Sequence, residues 1–455
     1  MKASSRPSVE VGSQTSQTSI DLRLPALLLG IFLGLSLLKF GNPVVLDHMV
    51  DAPTELVGFI FQPWPARWGH GLFSILLVVV VMMTKNEWQR PRNLAWTPLL
   101  WMIWQAFSTV FTIQPELSKP TLVHFSVGIA CFYLGYCCLS RRNNWVSLTL
   151  PLLVGFGWVL WMGMDQHFGG LASTREEFYK QNPDVSKFPA EFIKKIQSDR
   201  IFSTLVYPNA LAGAVLLFLP PLTFFVWESL RHRRRMLGLI GVAALIYGGV
   251  ACLIWSGSKA GWLLALIVGA VAVLRQPIPR KLKTIGVILF LIVGTLSFGL
   301  RYRAYFDKGA TSVGARFDYW RAALQNVASH PMVGSGPGTF AVVYSRLKSP
   351  ESEMARLTHN DYLQQASDSG LPGMVLYLGV FPIMLWNLYL KCPFGTSGFW
   401  LWIGLLGWTL QSFVEFGLYI PALSWGAFFW LGWLLGTNVP SFDKQGGPAD
   451  AMGHS

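Results

Sequence analysis

Charged side chains are scarce in this sequence. Only 13% of its 455 residues are Asp, Glu, Lys or Arg, whereas a typical soluble protein has about 25%. Hydrophobic residues make up 52% of the chain, which includes 20 Trp and 31 Phe, and the mean hydropathy is +0.42. This composition excludes a disordered chain and argues against a soluble globular enzyme.

Cysteine is also rare, and its positions argue against two kinds of site. Cys131, Cys137, Cys138 and Cys252 lie in apolar segments, and Cys392 lies in a short loop. Since no long hydrophilic loop carries a cysteine, we expect no disulfide framework. The sequence has no Cys-x-x-Cys pair or Cys/His cluster that would indicate a zinc site.

Apolar runs of about 20 residues recur along the chain, as in bilayer-spanning helices. The sequence therefore predicts an all-α polytopic membrane protein with about twelve transmembrane helices. The predicted spans centre on residues 24–40, 68–84, 96–112, 121–139, 145–164, 207–228, 236–255, 260–274, 284–300, 371–390, 399–416 and 421–437.

Positive charge is concentrated in alternate short loops. The net charge of +13 would hint at nucleic acid in a soluble domain, but in a membrane protein it indicates cytoplasmic loops rich in Lys and Arg. We therefore expect the lipid bilayer, and no nucleic acid, as a partner. The predicted inner loops carry Lys85, Arg90, Arg92, Arg141, Arg142, Arg231, Arg233, Arg234, Arg235, Arg275, Arg280, Lys281, Lys283 and Lys391. The short outer loops carry only Arg67, Lys119 and Lys259.

This orientation divides the chain into segments and places both termini inside. The predicted segments are a disordered cytoplasmic tail (1–20), transmembrane helices 1–5 (21–164), a periplasmic loop (165–206), a core (200–373) with helices 6–9 and the large periplasmic loop 301–370, helices 10–12 (371–437) and a cytoplasmic tail (438–455). Long outward loops are where we expect an active site to form.

Three acidic residues recur four positions apart in the first outer loop: Asp47, Asp51 and Glu55. On one helical face, these carboxylates could hold a divalent ion. The simpler interpretation is the solvated face of a short amphipathic helix.

Five segments between residues 200 and 373 combine basic residues, glycines and histidine. The segment from Thr358 to Gly373 predicts a short helix that ends at Gly370 and leads into a span. His359 then lies just above the outer membrane surface, where a histidine bonded to backbone is an equally good interpretation. The other four segments are Arg200–Ala212, Ser258–Gly261, Arg316–Trp320 and His330–Phe340.

In this order the segments resemble the O-antigen ligase/polymerase family of membrane glycosyltransferases, and most closely its lipid A–core O-antigen ligases. The family's ligase signature is His, then Asn, Ser or Gln, nine residues, Gly, two residues, and Gly, Thr or Tyr. His359-Asn360, Gly370 and Gly373 fit it at every position. Lys259 stands where the family's Ser-Arg-(A/G)-(A/G) turn usually has Arg.

The resemblance implies a GT-C-like enzyme in the bacterial inner (cytoplasmic) membrane, with its active site facing the periplasm. The implied reaction moves a glycan from undecaprenyl diphosphate to a hydroxyl of lipid A–core or another glycan acceptor, without a metal or other cofactor. His359 would be the catalytic general base, and Arg200, Lys259 and Arg316 would bind the diphosphate. The implied supporting residues are Asn209, Trp320, Asn360, Gly370 and Gly373. Because no carboxylate nucleophile is evident, direct displacement predicts inversion at the anomeric carbon.

Three alternatives stay open. An O-antigen polymerase would use the same donor with a growing glycan as acceptor, and a protein O-oligosaccharyltransferase would use a protein. A transporter or flippase usually carries ionisable residues at mid-membrane. Here such residues are sparse: His124 is the clearest, and Glu415 lies near a span end.

The glycine run 334–338 lacks the ending of a P-loop and predicts a tight turn.

Overall fold

The computed structural model of the chain describes residues 22–84, 88–141, 145–187, 193, 196–307 and 311–438. Both predicted tails, except residue 438, lie outside the described residues. Every element assigned within these ranges is helical, which confirms the all-α prediction.

The described residues form seventeen α-helices, several of which continue into wider or tighter helical turns. They are α1 (Arg23–Lys39), α2 (Leu56–Phe61), α3 (Ala66–Thr84), α4 (Thr97–Val110), α5 (Pro115–Tyr133), α6 (Trp145–Asp165), α7 (Leu171–Gln181), α8 (Pro208–Leu230), α9 (Arg235–Trp255), α10 (Lys259–Leu274), α11 (Arg280–Asp307), α12 (Thr311–Ser329), α13 (Phe340–Leu347), α14 (Asp361–Leu378), α15 (Met384–Leu388), α16 (Ser397–Gln411) and α17 (Pro421–Thr437).

Each of the twelve predicted spans coincides with a helix. Among the described residues, seven helical stretches are both long and apolar enough to cross a membrane. They are Ala66–Thr84, Pro115–Cys138, Trp145–Lys180, Pro208–Leu230, Arg235–Trp255, Arg280–Arg303 and Asp361–Leu388. The chain is thus a polytopic membrane protein, and the number of twelve spans stays a prediction.

The helices differ sharply in burial. α17 lies in the core, where fifteen of its seventeen residues are buried. It packs against α5, α1 packs along α6, and α8 packs between α9 and α16. α11 is peripheral, since only 6% of its apolar stretch is buried. An apolar helix with so little protein cover suits a span that faces lipid.

Two of the basic loops meet at one end of the bundle, here called the basic end. Arg275 follows α10 and donates hydrogen bonds to the carbonyls of Tyr389 and Cys392, at 2.7 and 2.8 Å. These bonds join the loop after α10 to the loop after α15. Because short turns connect α8, α9 and α10, the starts of α8 and α10 lie at the opposite end.

The large loop folds onto the bundle, and its glycine run forms the predicted turn. α12 packs against both α13 and α14. Gly336 donates its backbone N–H to the carbonyl of Asp368 at 2.7 Å, and Gly338 donates to the Asp368 carboxylate at 2.7 Å. The turn therefore fixes the loop to α14.

The acidic residues of the first outer loop do not share a helical face, so both interpretations of the trio are wrong. A tight helical turn ends at Met49, and Glu55 is extended. Pro53 explains the break, because proline disfavours helix at the residue before it. Asp47 instead accepts a hydrogen bond from the backbone N–H of Ala66, where α3 begins. No group of three metal-ligating side chains comes together in the part of the chain that the structure describes.

Candidate active site

His359 occupies a constrained backbone position just before α14. Its φ of +54° is left-handed, a region that histidine enters more readily than most residues. Asn360 follows as the helix cap, and its side chain accepts the N–H of Leu363 at 3.0 Å. Trp320 donates its indole N–H to the carbonyl of Thr358 at 3.1 Å. Two of the predicted supporting residues thus fix the backbone on either side of His359.

Three side chains hold the imidazole of His359. Its Nδ1 lies 3.1 Å from Oε2 of Glu415. The ring stacks on Tyr319, with 5.8 Å between centroids, and meets the edge of Phe416 at 4.7 Å. With Nδ1 engaged, Nε2 is the nitrogen available for proton transfer. The histidine is therefore an oriented group rather than one that only caps a helix.

Glu415 is the centre of the site. Its side chain is 5% exposed. Oε1 accepts hydrogen bonds from Nη2 of Arg316 at 2.5 Å and from Nδ2 of Asn209 at 2.6 Å. Burial alone would raise the pKa of this carboxyl, but His359, Arg316 and Arg200 hold the pKa below its usual value. Glu415 is thus ionised at neutral pH.

Arg200 reaches the same carboxylate through Asn209. Its Nη2 donates to Oδ1 of Asn209 at 2.8 Å, and its Nε donates to the carbonyl of Ser256 at 2.8 Å. The next residue, Gly257, has a φ of +61°, and a Cβ there would lie 3.2 Å from Nε of Arg200. Glycine therefore lets the guanidinium lie directly on the turn between α9 and α10.

Lys259 begins α10, beside this turn. Ser258 caps the helix by accepting the N–H of Gly261 at 3.2 Å. The Lys259 ammonium lies 5.1 Å from the centroid of the Tyr302 ring on α11. Burial lowers the pKa of Lys259, and the nearby positive charges of Arg200 and Arg316 lower this pKa further. All three predicted cations therefore belong to one electrostatic cluster with His359.

The two remaining predicted residues lie farther along α14. Gly370 has a φ of +73°, and a Cβ there would come within 2.0 Å of the Met332 carbonyl oxygen. This left-handed residue interrupts the helical geometry, as predicted for the end of the short helix. A Cβ on Gly373 would collide with Ser369 and press on Trp104. Both glycines allow close packing and do not contact the charged cluster.

Sequence reasoning did not find Glu415, Tyr319 and Phe416. One signal was available for Glu415, because a lone acidic residue beside an apolar span is costly unless it has a function or a partner. Its partners lie 56, 99 and 206 positions away in the chain, so no local motif reveals them.

Comparison with known proteins matches one segment of the chain. Residues 244–378 match the model of a family described as O-antigen ligase. Less than a third of the chain is thus similar to the O-antigen ligase family. The matched region contains Lys259, Arg316 and His359, whereas Arg200 and Glu415 lie outside it.

A relative of this chain occurs in Haemophilus influenzae (strain ATCC 51907 / DSM 11121 / KW20 / Rd). It is described as an uncharacterized protein and is 30% identical over 162 residues. The alignment covers 30% of this chain and 40% of the relative.

Proposed function

We propose that this protein is an O-antigen ligase of the bacterial inner membrane. It moves a glycan from undecaprenyl diphosphate to a hydroxyl of lipid A–core on the periplasmic face, with inversion and without a metal. The observation that carries the proposal is the cluster itself. His359, oriented by Glu415, shares one site with Arg200, Lys259 and Arg316. This site lies at the end of the bundle opposite the basic end.

His359 has the surroundings of a general base. Glu415 accepts the N–H of Nδ1 and so leaves the lone pair on Nε2, as the carboxylate does in a catalytic triad. Nε2 takes the proton of the acceptor hydroxyl as the oxygen attacks the anomeric carbon. The bond from that carbon to the diphosphate oxygen breaks, and undecaprenyl diphosphate leaves with the bonding electrons.

The charge of the cluster suits a diphosphate. Arg200, Lys259 and Arg316 are offset by the single carboxylate of Glu415, which leaves two positive charges. A diphosphate esterified at both ends carries two negative charges at neutral pH. More negative charge develops on its leaving oxygen as the bond breaks, and fixed cations stabilise that charge in the transition state.

The position of the cluster suits a lipid-linked donor. Arg200 precedes α8, Lys259 begins α10 and His359 precedes α14, so the cations lie at the ends of apolar helices. Cations are costly inside lipid but not at its surface. The diphosphate would bind at this depth, with the prenyl chain among the helices and the glycan in the loops outside.

A genetic experiment separates the ligase from the alternatives. The gene is deleted, and lipopolysaccharide and lipid-linked glycan are examined. Loss of all polymer on the core, with lipid-linked polymer accumulating, supports a ligase. A core that carries a single repeat unit indicates a polymerase, and unchanged lipopolysaccharide with loss of a glycoprotein indicates a protein O-oligosaccharyltransferase.

The deletion strain also tests the site. The parent gene should restore the lipopolysaccharide, whereas a gene with His359→Ala should not. His48→Ala is the matched control, because His48 is an exposed histidine in the loop after α1, outside the five segments. If the His359→Ala gene restores polymer on the core, the assignment of the base is wrong.

A further inference from the structure

Helix α12 exposes large apolar side chains beside the active site. Phe317 and Leu324 are 56% and 57% exposed, and Val313 is 43% exposed. Trp320 lies between them and is half-buried, because it donates its hydrogen bond to the backbone before His359. Adjoining exposed apolar side chains on one helix commonly mark a surface that contacts a partner or a membrane.

The exposed apolar residues form one continuous stripe. Residues 313, 317, 320, 324 and 328 follow each other at steps of four, three, four and four. At roughly 100° per residue they occupy an arc of roughly 80° on the helix surface. The buried face of α12, with Ala322, Ala323 and Asn326, lies on nearly the opposite side and packs against α14.

Charged residues border the stripe on both sides. Arg316 lies at one edge, where it turns to Glu415 in the active site. Arg321 lies at the other edge with a side chain that is 73% exposed. The stripe therefore lies between the active site and the polar outer face of the helix.

The chain leading into α12 determines what this stripe can meet. α11 is the lipid-facing span, and Leu300 in its last third is 80% exposed. α11 ends at Asp307 and α12 begins at Thr311, so only three residues separate them. A connection this short keeps the start of α12 near the membrane surface.

We propose that α12 is an interfacial helix, whose apolar stripe is inserted into the lipid leaflet at the active-site end of the bundle. An open groove of about 700 Å³ runs along it, lined by Phe317, Trp320, Arg321, Leu324, Gln325 and Ala328. The groove takes the acyl chain of a membrane lipid, and Arg321 meets the lipid phosphate. Amphipathic helices with aromatic residues and arginine bind bilayer surfaces in this way.

The consequence is an active site that opens sideways to the bilayer. Arg316 lies one helical turn from the lipid-covered groove, so a lipid-linked molecule could reach the cations from within the leaflet. The insertion of α12 itself rests on the exposed stripe and on α11, and it stands or falls independently of the reaction proposed above.

The test uses nitroxide labels on the full-length protein in vesicles of phosphatidylethanolamine and phosphatidylglycerol, without donor or acceptor. Leu324→Cys places a label on the stripe. Ser329→Cys is the control, because Ser329 is exposed on the polar face of the same helix. The parent is treated in parallel, since its five cysteines are buried and give the background.

Collision rates with oxygen and with a water-soluble nickel chelate are then compared. Oxygen is enriched in hydrocarbon, so we expect the oxygen-to-nickel ratio to be several-fold higher at position 324 than at position 329. Equal ratios at the two positions would place the stripe in water and overturn the proposal. Low accessibility to both agents at 324, with spin–spin broadening, would also overturn it by showing that a second copy of the chain covers the stripe.

Discussion

Substitution of Glu415 by Gln is the most informative change to the site. Glutamine keeps the shape of the side chain but removes the charge. Its amide NH2 cannot accept a hydrogen bond, so one orientation of the amide leaves the donors of Arg316 and Asn209 unpaired and the other orientation leaves His359 unpaired. We expect His359 to lose its fixed orientation as a base, and Arg316 to lose its counter-charge.

The expected size of the effect follows from burial. The side chains of Glu415 and Arg316 are 5% and 18% exposed, and breaking a buried ion pair by removing one partner costs about 3–5 kcal/mol. Because Arg316 keeps some contact with water, we expect Glu415→Gln to lower the free energy of unfolding by about 3 kcal/mol. General-base help raises a rate by about 100 to 10,000-fold. The transfer rate at saturating donor should therefore fall at least about 100-fold, which corresponds to a barrier that is higher by about 2.7 kcal/mol.

The assay is a double-mutant cycle on glycan transfer by the purified protein. If Glu415 acts through His359, the two changes are not additive, and Glu415→Gln should cost less than about threefold in a His359→Ala background. Glu353→Gln is the matched control, because Glu353 accepts the hydroxyl of Tyr319 beside the same imidazole at 2.6 Å. This control should keep most of the activity. Thermal unfolding in detergent shows whether each variant is folded.

Two results would refute the reasoning. If the losses from Glu415→Gln and His359→Ala multiply, the carboxylate does not act through the imidazole. Full activity in Glu415→Gln would show that the orientation of His359 is not needed. Should the glutamine variant fail to fold, Glu415→Asp keeps the charge but is one methylene too short to reach His359 and Arg316 together, and it should lose activity while remaining folded.

Three further predictions concern charge, orientation and pH. Lys259→Arg should keep most of the transfer activity and Lys259→Ala should lose it, because the site needs a cation facing phosphate; equal activity of the parent and Lys259→Ala would contradict this. Cysteines placed at Ser186 and Ser345 should react with an impermeant thiol reagent in intact spheroplasts, whereas labelling only after lysis would reverse the orientation. Burial raises the pKa of Glu415, but its cationic neighbours lower the pKa by more than burial raises it. The contribution of the Glu415 carboxylate to stability should therefore be complete above about pH 5 and disappear as the pH falls through the lowered pKa. The difference in unfolding temperature between the parent and Glu415→Gln should therefore shrink as the pH falls from about pH 5 toward about pH 3; a difference that stays the same over that range would count against it.

The helices could be predicted because their signal is local. An apolar run of about 20 residues in lipid must satisfy its own backbone hydrogen bonds, so hydropathy alone indicates where helices form. Gly370 could be placed in the same way, since only a residue that tolerates a left-handed backbone can end one helix while close to the Met332 carbonyl.

The site could be predicted in part. His359, Arg200, Lys259 and Arg316 each lie in a recognisable segment, and the alternation of spans brings these segments to one end of the bundle. Asn209 was expected only as a supporting residue, and the structure places it between Arg200 and Glu415. That role depends on packing between α8 and the end of α16, which sequence does not encode locally.

The acidic residues show where periodicity misleads. Asp47, Asp51 and Glu55 have helical spacing, but Pro53 prevents the helix that would align them. The reverse holds for Glu415, which has no acidic neighbour or helical pattern and yet binds two catalytic candidates, Arg316 and His359. Charge patterns predict a site only when the backbone between the charges can be predicted too.

The most direct test of the proposed base is glycan transfer by purified protein in detergent, with lipid-linked glycan donor, purified acceptor and excess chelator. The parent should remain active, and His359→Ala should lose about 100 to 10,000-fold while still binding the donor. His48→Ala should behave like the parent. If His359→Ala transfers glycan as fast as the parent, His359 is not the base, and if chelator alone stops the parent, the metal-free mechanism is wrong.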